Sequence, residues 1–297
     1  MGFKQELIDF SQVKVSFGEQ MKKHTSLGVG GNAEYFAYID TLYGLNKLLV
    51  LAKEYKIPFK IIGNGTNILV ADGGFEGLII SLKGLNDVFF KRDFVKVMAG
   101  ATIDKLSKFC IDHKLSGMEA LSGIPATVGG AIVMNAGAFG NNISDHVVSV
   151  QTLCGGKIKT YDKSECKFGY RKSRFLGGKE VVISATFSFR EGVREVISAS
   201  VKNYAEIRKS MQPLGRSCGS VFKNPKDKTA GFLIECAGLK GQKIGGASIS
   251  TVHGNFIMNE GKATANDVFL LINYIKDKIK KEFGITLTEE VELIGEF

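Results

Sequence analysis

Five stretches of this 297-residue chain bring together residue types that bind anions or move protons. The first is GNGTN at 63–67, directly behind an apolar run. Gly63 and Gly65 permit left-handed backbone and close approach, so successive N–H groups can converge on a phosphate oxygen, while Asn64, Thr66 and Asn67 add short side chains. The third glycine of a dinucleotide fingerprint and the Gly-Lys-Ser/Thr of a Walker loop are both missing, and a GxG after a strand is by itself more often a simple turn. The second stretch, SGIPATVGGAIVMNAGAFG at 122–140, places glycine loops on either side of the apolar run Ala131 to Met134. Such a pair could clamp an extended pyrophosphate without arginine; a glycine-lined packing seam is the plain alternative. The third, GYRKSRF at 169–175, offers Arg171 and Arg174 as bidentate partners for a carboxylate and Tyr170 for stacking, or is an ordinary basic turn. The fourth, CGSVFKNP at 218–225, carries Ser220 outside the G-x-S-x-G pattern of a hydrolase elbow, followed by the polar turn Lys223, Asn224, Pro225. The fifth is TEEVELIGE at 288–296, where Glu289 and Glu290 point to opposite faces if both are extended.

These stretches need elements to hold them. Thr41 to Tyr55 reads as a helix, with Thr41 as cap, an apolar stripe at Leu45, Leu48, Leu49 and Ala52, and Pro58 beyond. Short apolar runs at 59–62, 68–70 and 78–82, punctuated by glycine, predict strands. Residues 87–99 alternate weakly and lead to a helical pattern at Ile103, Leu106, Phe109 and Cys110. Strands follow at 147–154, 157–161 and 180–189, split by Gly155-Gly156 and Gly177-Gly178. A helix is expected over 193–210, a second glycine-marked region over 215–246, and strands at 255–258 and 291–294. The clearest helix is 267–283, with Val268, Leu271, Ile272, Ile275 and Ile279 on one face, Thr264 or Asn266 to cap it and Gly284 to end it. Irregular alternation of helix and strand predicts an α+β fold.

Composition bounds the partners. Hydrophobic residues at 44% and charged residues at 23% exclude a disordered chain. The formal net charge of +9 suits an anionic partner without choosing among nucleic acid, phosphorylated cofactor and acidic substrate. Five cysteines without a CxxC spacing argue against a disulfide framework and a zinc site. With no apolar stretch of membrane-spanning length and a polar beginning, a cytoplasmic protein with reduced thiols is expected.

In this order and spacing the five stretches resemble the UDP-N-acetylenolpyruvoylglucosamine reductase (MurB) family of bacterial peptidoglycan precursor synthesis. The likeness runs from KHTSLGVGG at 23–31 through SGIPATVGGAIVMNAGAFG, YRKS and GSVFKNP to ELIGE at 292–296. It implies a two-part FAD-binding region of the vanillyl-alcohol-oxidase (PCMH) type over 1–83 and 84–204, then an α+β substrate domain over 205–297. The short 190–215 segment is similar to the family type that lacks an extra substrate-covering loop. The implied reaction is reduction of UDP-N-acetylglucosamine enolpyruvate to UDP-N-acetylmuramate, with FAD as cofactor and NADPH as hydride donor. By the same resemblance Ser220 is the proton donor, Arg171 binds and polarises the substrate carboxylate, and Glu290 stabilises the enol-like state or relays protons. FAD is expected along Gly63, Asn64, Gly65, Thr66 and Asn67, and along Ser122, Gly123, Ile124, Pro125, Thr127, Gly129, Gly130, Asn135, Ala136 and Gly137. Asn224 matches a substrate contact, with Tyr170, Lys223 and Asn255 as further candidates, and no metal is implied.

The chain departs from the family pattern at Glu292, where arginine is common, at Ala126, often glycine, and at Cys218. Two other readings stand beside this one. A different flavin-dependent oxidoreductase of the same scaffold would oxidise a small alcohol or hydroxy acid. A basic module that binds anions or nucleic acid would be colourless, but no aromatic-interleaved basic patch supports it. Neither nucleic acid nor membrane is expected as a partner, and a monomer is favoured.

Overall fold

The computed structural model describes residues 2–178 and 180–297. The chain divides into two compact units, one of 1–17, 35–64 and 77–207, the other of 18–34, 65–76 and 208–297. It passes from one to the other inside the strands Lys14–Gln20, Asn32–Tyr38 and Phe75–Ser81, between Asn64 and Gly65, and between Ile207 and Arg208.

In the first unit the strand Phe59–Ile62 runs parallel to Phe75–Ser81. A second sheet has five antiparallel strands in the order Lys157–Asp162, Val147–Cys154, Val181–Phe187, Phe94–Met98, Val88–Lys91. Its first hairpin pairs Cys154 with Lys157 across Gly155 and Gly156, both at positive φ, as a two-residue turn between right-twisted strands requires. The hairpin 88–98 shows in the sequence only as weak alternation. Its turn is Arg92-Asp93, with Arg92 at φ 55°, and no glycine marks it.

The helices Leu42–Glu54, Ile103–Asp112 and Val128–Met134 begin at Thr41, Thr102 and Thr127, each hydroxyl accepting from the N–H three residues on. The last of these corrects the expectation of an apolar run between two loops. Gly129 and Gly130 in the first turn hide a seven-residue helix from propensity reasoning. Leu45, Leu48, Leu78, Ile80, Val97, Leu106, Ile132 and Phe187 form this unit's core.

The second unit has an antiparallel sheet in the order Ser217–Ser220, Phe256–Asn259, Ala247–Ile249, Lys243–Ile244. The helix Ala230–Cys236, unexpected from the glycine-marked sequence, lies near the long helix Ala265–Phe283. The long helix starts two residues earlier than its periodicity indicates. Thr264 is its cap, in a capping box with Asp267, and Asn266 lies inside the first turn. Hydrogen bonding by the Thr264 backbone holds the Asp267 carboxyl below its ordinary value. The Asp72 carboxylate also accepts from the N–H groups of Ala265 and Asn266, both at 2.9 Å, which sets a negative charge at the helix N-terminus. Gly284, at φ 70°, ends it. Val268, Leu271, Ile272, Ile275 and Ile279 bury the predicted stripe against Leu69, Phe222, Leu233 and Ile257.

The strand Ile68–Val70 pairs in parallel with Glu292–Ile294, Ile68 opposite Glu292. In a parallel pair both strands are entered from the same end. Residues 65–67 and residues 288–291 are therefore neighbours in the fold although distant in sequence.

Candidate active site

The two glycine-rich stretches differ in where their N–H groups point. Among the described residues, nothing accepts a hydrogen bond from the N–H groups of Gly63, Asn64, Gly65, Thr66 or Asn67. Gly65 sits at φ 69°, and a Cβ there would lie 1.8 Å from the His24 carbonyl oxygen. Only glycine fits this approach. A run of unused backbone donors behind a strand is the donor set that a pyrophosphate needs, so these residues fit the cofactor expected from the sequence.

Over 122–137 many of the backbone donors already have partners within the fold. The N–H groups of Ser122 and Ile124 go to the Met118 and Leu121 carbonyls, and that of Gly123 to Asp104 Oδ1 at 2.9 Å. Val128 donates to Ala101 O, Gly129 to Ala99 O and Gly130 to Thr127 Oγ1. The N-terminus of this helix is therefore closed by its own neighbours. Ser122 Oγ donates to Glu119 O, and Pro125 O accepts from Asn64 Nδ2 at 3.2 Å. A Cβ on Gly63 would meet Thr127 Oγ1 at 2.3 Å, so these two segments pack backbone to side chain.

The far end of the helix serves a different purpose. Asn135 ends it in the left-handed region, which asparagine tolerates well. Its side chain is buried: Nδ2 donates to Gly169 O at 2.9 Å and Oδ1 accepts from Ser144 N. Ala136 N returns to Ala131 O, and Gly137 pairs with Asn142. Gly169 and Lys172 exchange two backbone hydrogen bonds, making a tight turn with Tyr170 and Arg171 at its corner. Ser173 Oγ donates to Val133 O at 2.7 Å, and Arg171 Nη2 donates to Gly137 O at 3.3 Å. The turn is thus buttressed from the helix end. Arg171 is held at φ 48°, an uncommon conformation for a bulky residue and a recurrent one at functional positions. Tyr170 is exposed, with the guanidinium of Arg171 5.2 Å from its ring centre.

In the second unit Ser220 ends an irregular strand. Ser217 faces Met258 and Ser220 faces Phe256, so three steps on one strand match two on the other. Gly219, at φ 74°, absorbs the extra residue as a bulge that re-aims the serine. Cys218, two residues earlier, is buried, and burial pushes its thiol up to about 12. It stays protonated at neutral pH and does not compete with Ser220 as a proton-handling group.

Beyond Ser220 the chain meets the acidic segment. Glu290 N donates to Val221 O at 2.7 Å, Lys223 N donates to Thr288 O, and Phe222 bridges Glu289. The strand proper begins only at Glu292, so the two glutamates precede it. Glu289 takes Lys276 Nζ at 2.6 Å, which leaves Glu290 as the carboxylate outside that ion pair. Asn67 Nδ2 donates to the Glu290 carbonyl oxygen at 3.0 Å, and Glu292 N donates to Asn67 O.

Two of the candidate substrate contacts also hold backbone groups in place. Asn255, a candidate for touching substrate, is buried with both amide atoms on one residue: Oδ1 accepts from Phe222 N and Nδ2 donates to Phe222 O. It is a clamp on the segment between Ser220 and Lys223. Asn224 is exposed, and its Oδ1 accepts from Ala230 N at the start of the short helix. Sequence reasoning also passed over Ser26, whose Oγ donates to Ser217 O at 2.6 Å and whose N–H donates to Gly65 O at 3.0 Å. KHTSLGVGG was a signal of family only, and a serine between a threonine and a leucine carries no mark of such a role.

An α+β chain with a strand-borne run of open backbone donors is the frame of an FAD-binding oxidoreductase, and a profile described as an FAD binding domain matches residues 33–160. The fold alone is shared with BBE-like 1 from Physcomitrella patens, at a TM-score of 0.51 and 16% identity over 64% of this chain and 45% of that one. A second profile, UDP-N-acetylenolpyruvoylglucosamine reductase, C-terminal domain, matches residues 211–294. The UDP-N-acetylenolpyruvoylglucosamine reductase of Anoxybacillus flavithermus is 40% identical over 98% of both chains. That of Geotalea uraniireducens is 41% identical over 95% of this chain and 94% of its own. The crystal structure of the reductase from Thermus caldophilus superposes at a TM-score of 0.82, with 34% identity over 95% of this chain and 99% of that one. The chain belongs to the UDP-N-acetylenolpyruvoylglucosamine reductase family. Among the described residues, no helix is long and apolar enough to cross a membrane.

Proposed function

We propose that Ser220, Arg171 and Glu290 carry the proton and charge chemistry of an NADPH-dependent reduction of UDP-N-acetylglucosamine enolpyruvate to UDP-N-acetylmuramate. When bound, FAD supplies the hydride relay between NADPH and the substrate. The open N–H groups over 63–67 hold its pyrophosphate, and the net charge of +9 favours all three polyanionic ligands.

The residues of this chain do the rest. Hydride addition to the terminal carbon of the enol ether leaves negative charge on the adjacent carbon and its carboxylate. Arg171, locked at the corner of its turn, offers a planar cation to that carboxylate and lowers the barrier as charge develops. The Ser220 hydroxyl, aimed by the Gly219 bulge, gives its proton to the adjacent carbon. Glu290 stabilises the enol-like state or returns a proton to the serine. Tyr170, Lys223 and Asn224 line the substrate, whereas Asn255 and Asn135 act behind the contacting residues by holding Phe222 and the 169–172 turn. The functional division is 1–83 and 84–204 for flavin and 205–297 for substrate, in a monomer acting in the cytoplasm.

The observation that carries this reading is the bulge at Gly219, which singles out one serine beside the segment of one glutamate. Ser220→Ala tests it. The flavin absorbance should still bleach with NADPH, while transfer to the enolpyruvyl substrate falls by about 10²–10⁴-fold. Normal turnover by this variant would remove Ser220 from the chemistry.

A further inference from the structure

The second unit contains a closed ring that joins the open glycine loop to both proton-handling segments. Starting at Gly65, the chain runs through Thr66 to Asn67, whose amide Nδ2 donates to Glu290 O at 3.0 Å. Glu290 N donates to Val221 O at 2.7 Å, and from Val221 the chain runs back through Ser220 and Gly219 to Ser217. The Ser217 carbonyl accepts from Ser26 Oγ at 2.6 Å, and Ser26 N closes the ring onto Gly65 O at 3.0 Å. Glu292 N on Asn67 O adds a second tie beside the first.

We propose that Ser26 and Asn67 are positioning residues that couple occupancy of the glycine loop to the placement of Ser220 and Glu290. The inference rests on the functional reading above. Neither side chain is assigned to the reacting atoms, because each is already committed to a backbone carbonyl of a segment that carries one of them. Asn67 thereby has two parts: its backbone N–H is among the open donors of the loop, while its side chain is committed to the glutamate segment.

The direction of coupling follows from the ring's parts. Gly65 is pinned against the His24 carbonyl, and the strand 68–70 is paired with 292–294, so the loop has little freedom except at its unused N–H groups. An anion that orders those groups orders Gly65 O and Asn67, and through them the 217–221 and 288–292 segments. Loss of Ser26 Oγ loosens the serine strand at Ser217, and loss of Asn67 Nδ2 removes one of the two ties on the glutamate segment. Either change misplaces proton transfer without altering the groups that perform it.

The test separates the two half-reactions in the full-length holoenzyme. Ser26→Ala should keep flavin reduction by NADPH within about threefold and slow reoxidation by UDP-N-acetylglucosamine enolpyruvate by about tenfold to a hundredfold, with a shifted pH profile for that step. Ser26→Thr, which keeps the hydroxyl, should restore both the rate and the profile. Asn67→Ala should slow reoxidation more than reduction. Amide hydrogen exchange gives a readout apart from turnover. FAD added to wild-type apoprotein should protect 217–221 and 288–292 as well as 63–67. In Ser26→Ala the protection of 217–221 should be lost, and in Asn67→Ala that of 288–292.

Unchanged reoxidation and unchanged protection in Ser26→Ala would overturn the coupling while leaving the functional reading intact. Wild-type protein that takes up no FAD would instead remove that reading, and the coupling with it. Should Asn67→Ala fail to fold, the contrast of Ser26→Ala with Ser26→Thr decides alone.

Discussion

The stretches 63–67 and 122–137 look alike in sequence and differ in where their backbone N–H groups go. Both are rich in glycine and small polar residues, and both follow the pattern by which backbone amides cradle phosphate. In the first, the N–H groups stay open. In the second, those of Ser122, Gly123, Ile124, Val128, Gly129 and Gly130 are taken by Met118, Asp104, Leu121, Ala101, Ala99 and Thr127, and the far end of the segment buttresses the turn that displays Arg171. A glycine reports that something comes close or that the backbone turns left-handed. Whether the neighbour is a ligand or the protein itself is decided by where the amides go.

Three substitutions bear on that contrast. The largest effect is expected at Gly65→Ala, where the new Cβ would sit 1.8 Å from the His24 carbonyl on a backbone at φ 69°. Strain and clash together should cost about 3 kcal/mol or more and abolish flavin uptake, checked by denaturant unfolding and by the flavin content of purified protein. Gly129→Ala is intermediate. Its Cβ would meet Ala99 Cβ at 2.9 Å, an overpacking cost of about 1–3 kcal/mol that urea unfolding would read. The effect should fall on stability, and a variant of wild-type stability that had lost its flavin would break the comparison. Gly130→Ala is the smallest and has the opposite sign. A Cβ there meets only Thr127 Oγ1, at 3.5 Å, so the apoprotein should gain up to about 0.5–1 kcal/mol from helix propensity. A gain in apoprotein stability paired with a loss of flavin affinity would show the cofactor lying against this turn.

The long elements were legible because their signals are local and repeated. Leu42–Glu54 and Ala265–Phe283 carry a threonine cap and an apolar stripe, and Val147–Asp162 carries two strands around Gly-Gly. The seven-residue helices Val128–Met134 and Ala230–Cys236 were not legible. They are too short for a period to show, and each has glycine in its first turn. The hairpin at Arg92-Asp93 escaped for the converse reason, a left-handed residue that is not glycine.

At the site, residue types and order pointed to Ser220, Arg171 and Glu290. What separates a contact from a support is the partner of each amide atom. Asn255 and Asn67 look the same in sequence, yet one clamps Phe222 and the other holds the Glu290 carbonyl. That information is long-range, and no spacing rule contains it.

The tie between Asn67 and Glu290 spans 223 positions, and this has a consequence during synthesis. The strand 68–70 leaves the ribosome long before its parallel partner, 292–294, so that pairing waits while most of the chain is made. Contacts of such separation form late and leave an open strand edge in the meantime. The loop with the open amides is consequently among the last parts of the molecule to be braced. The open amides of 63–67 thus gain their final brace only when the end of the chain has been made.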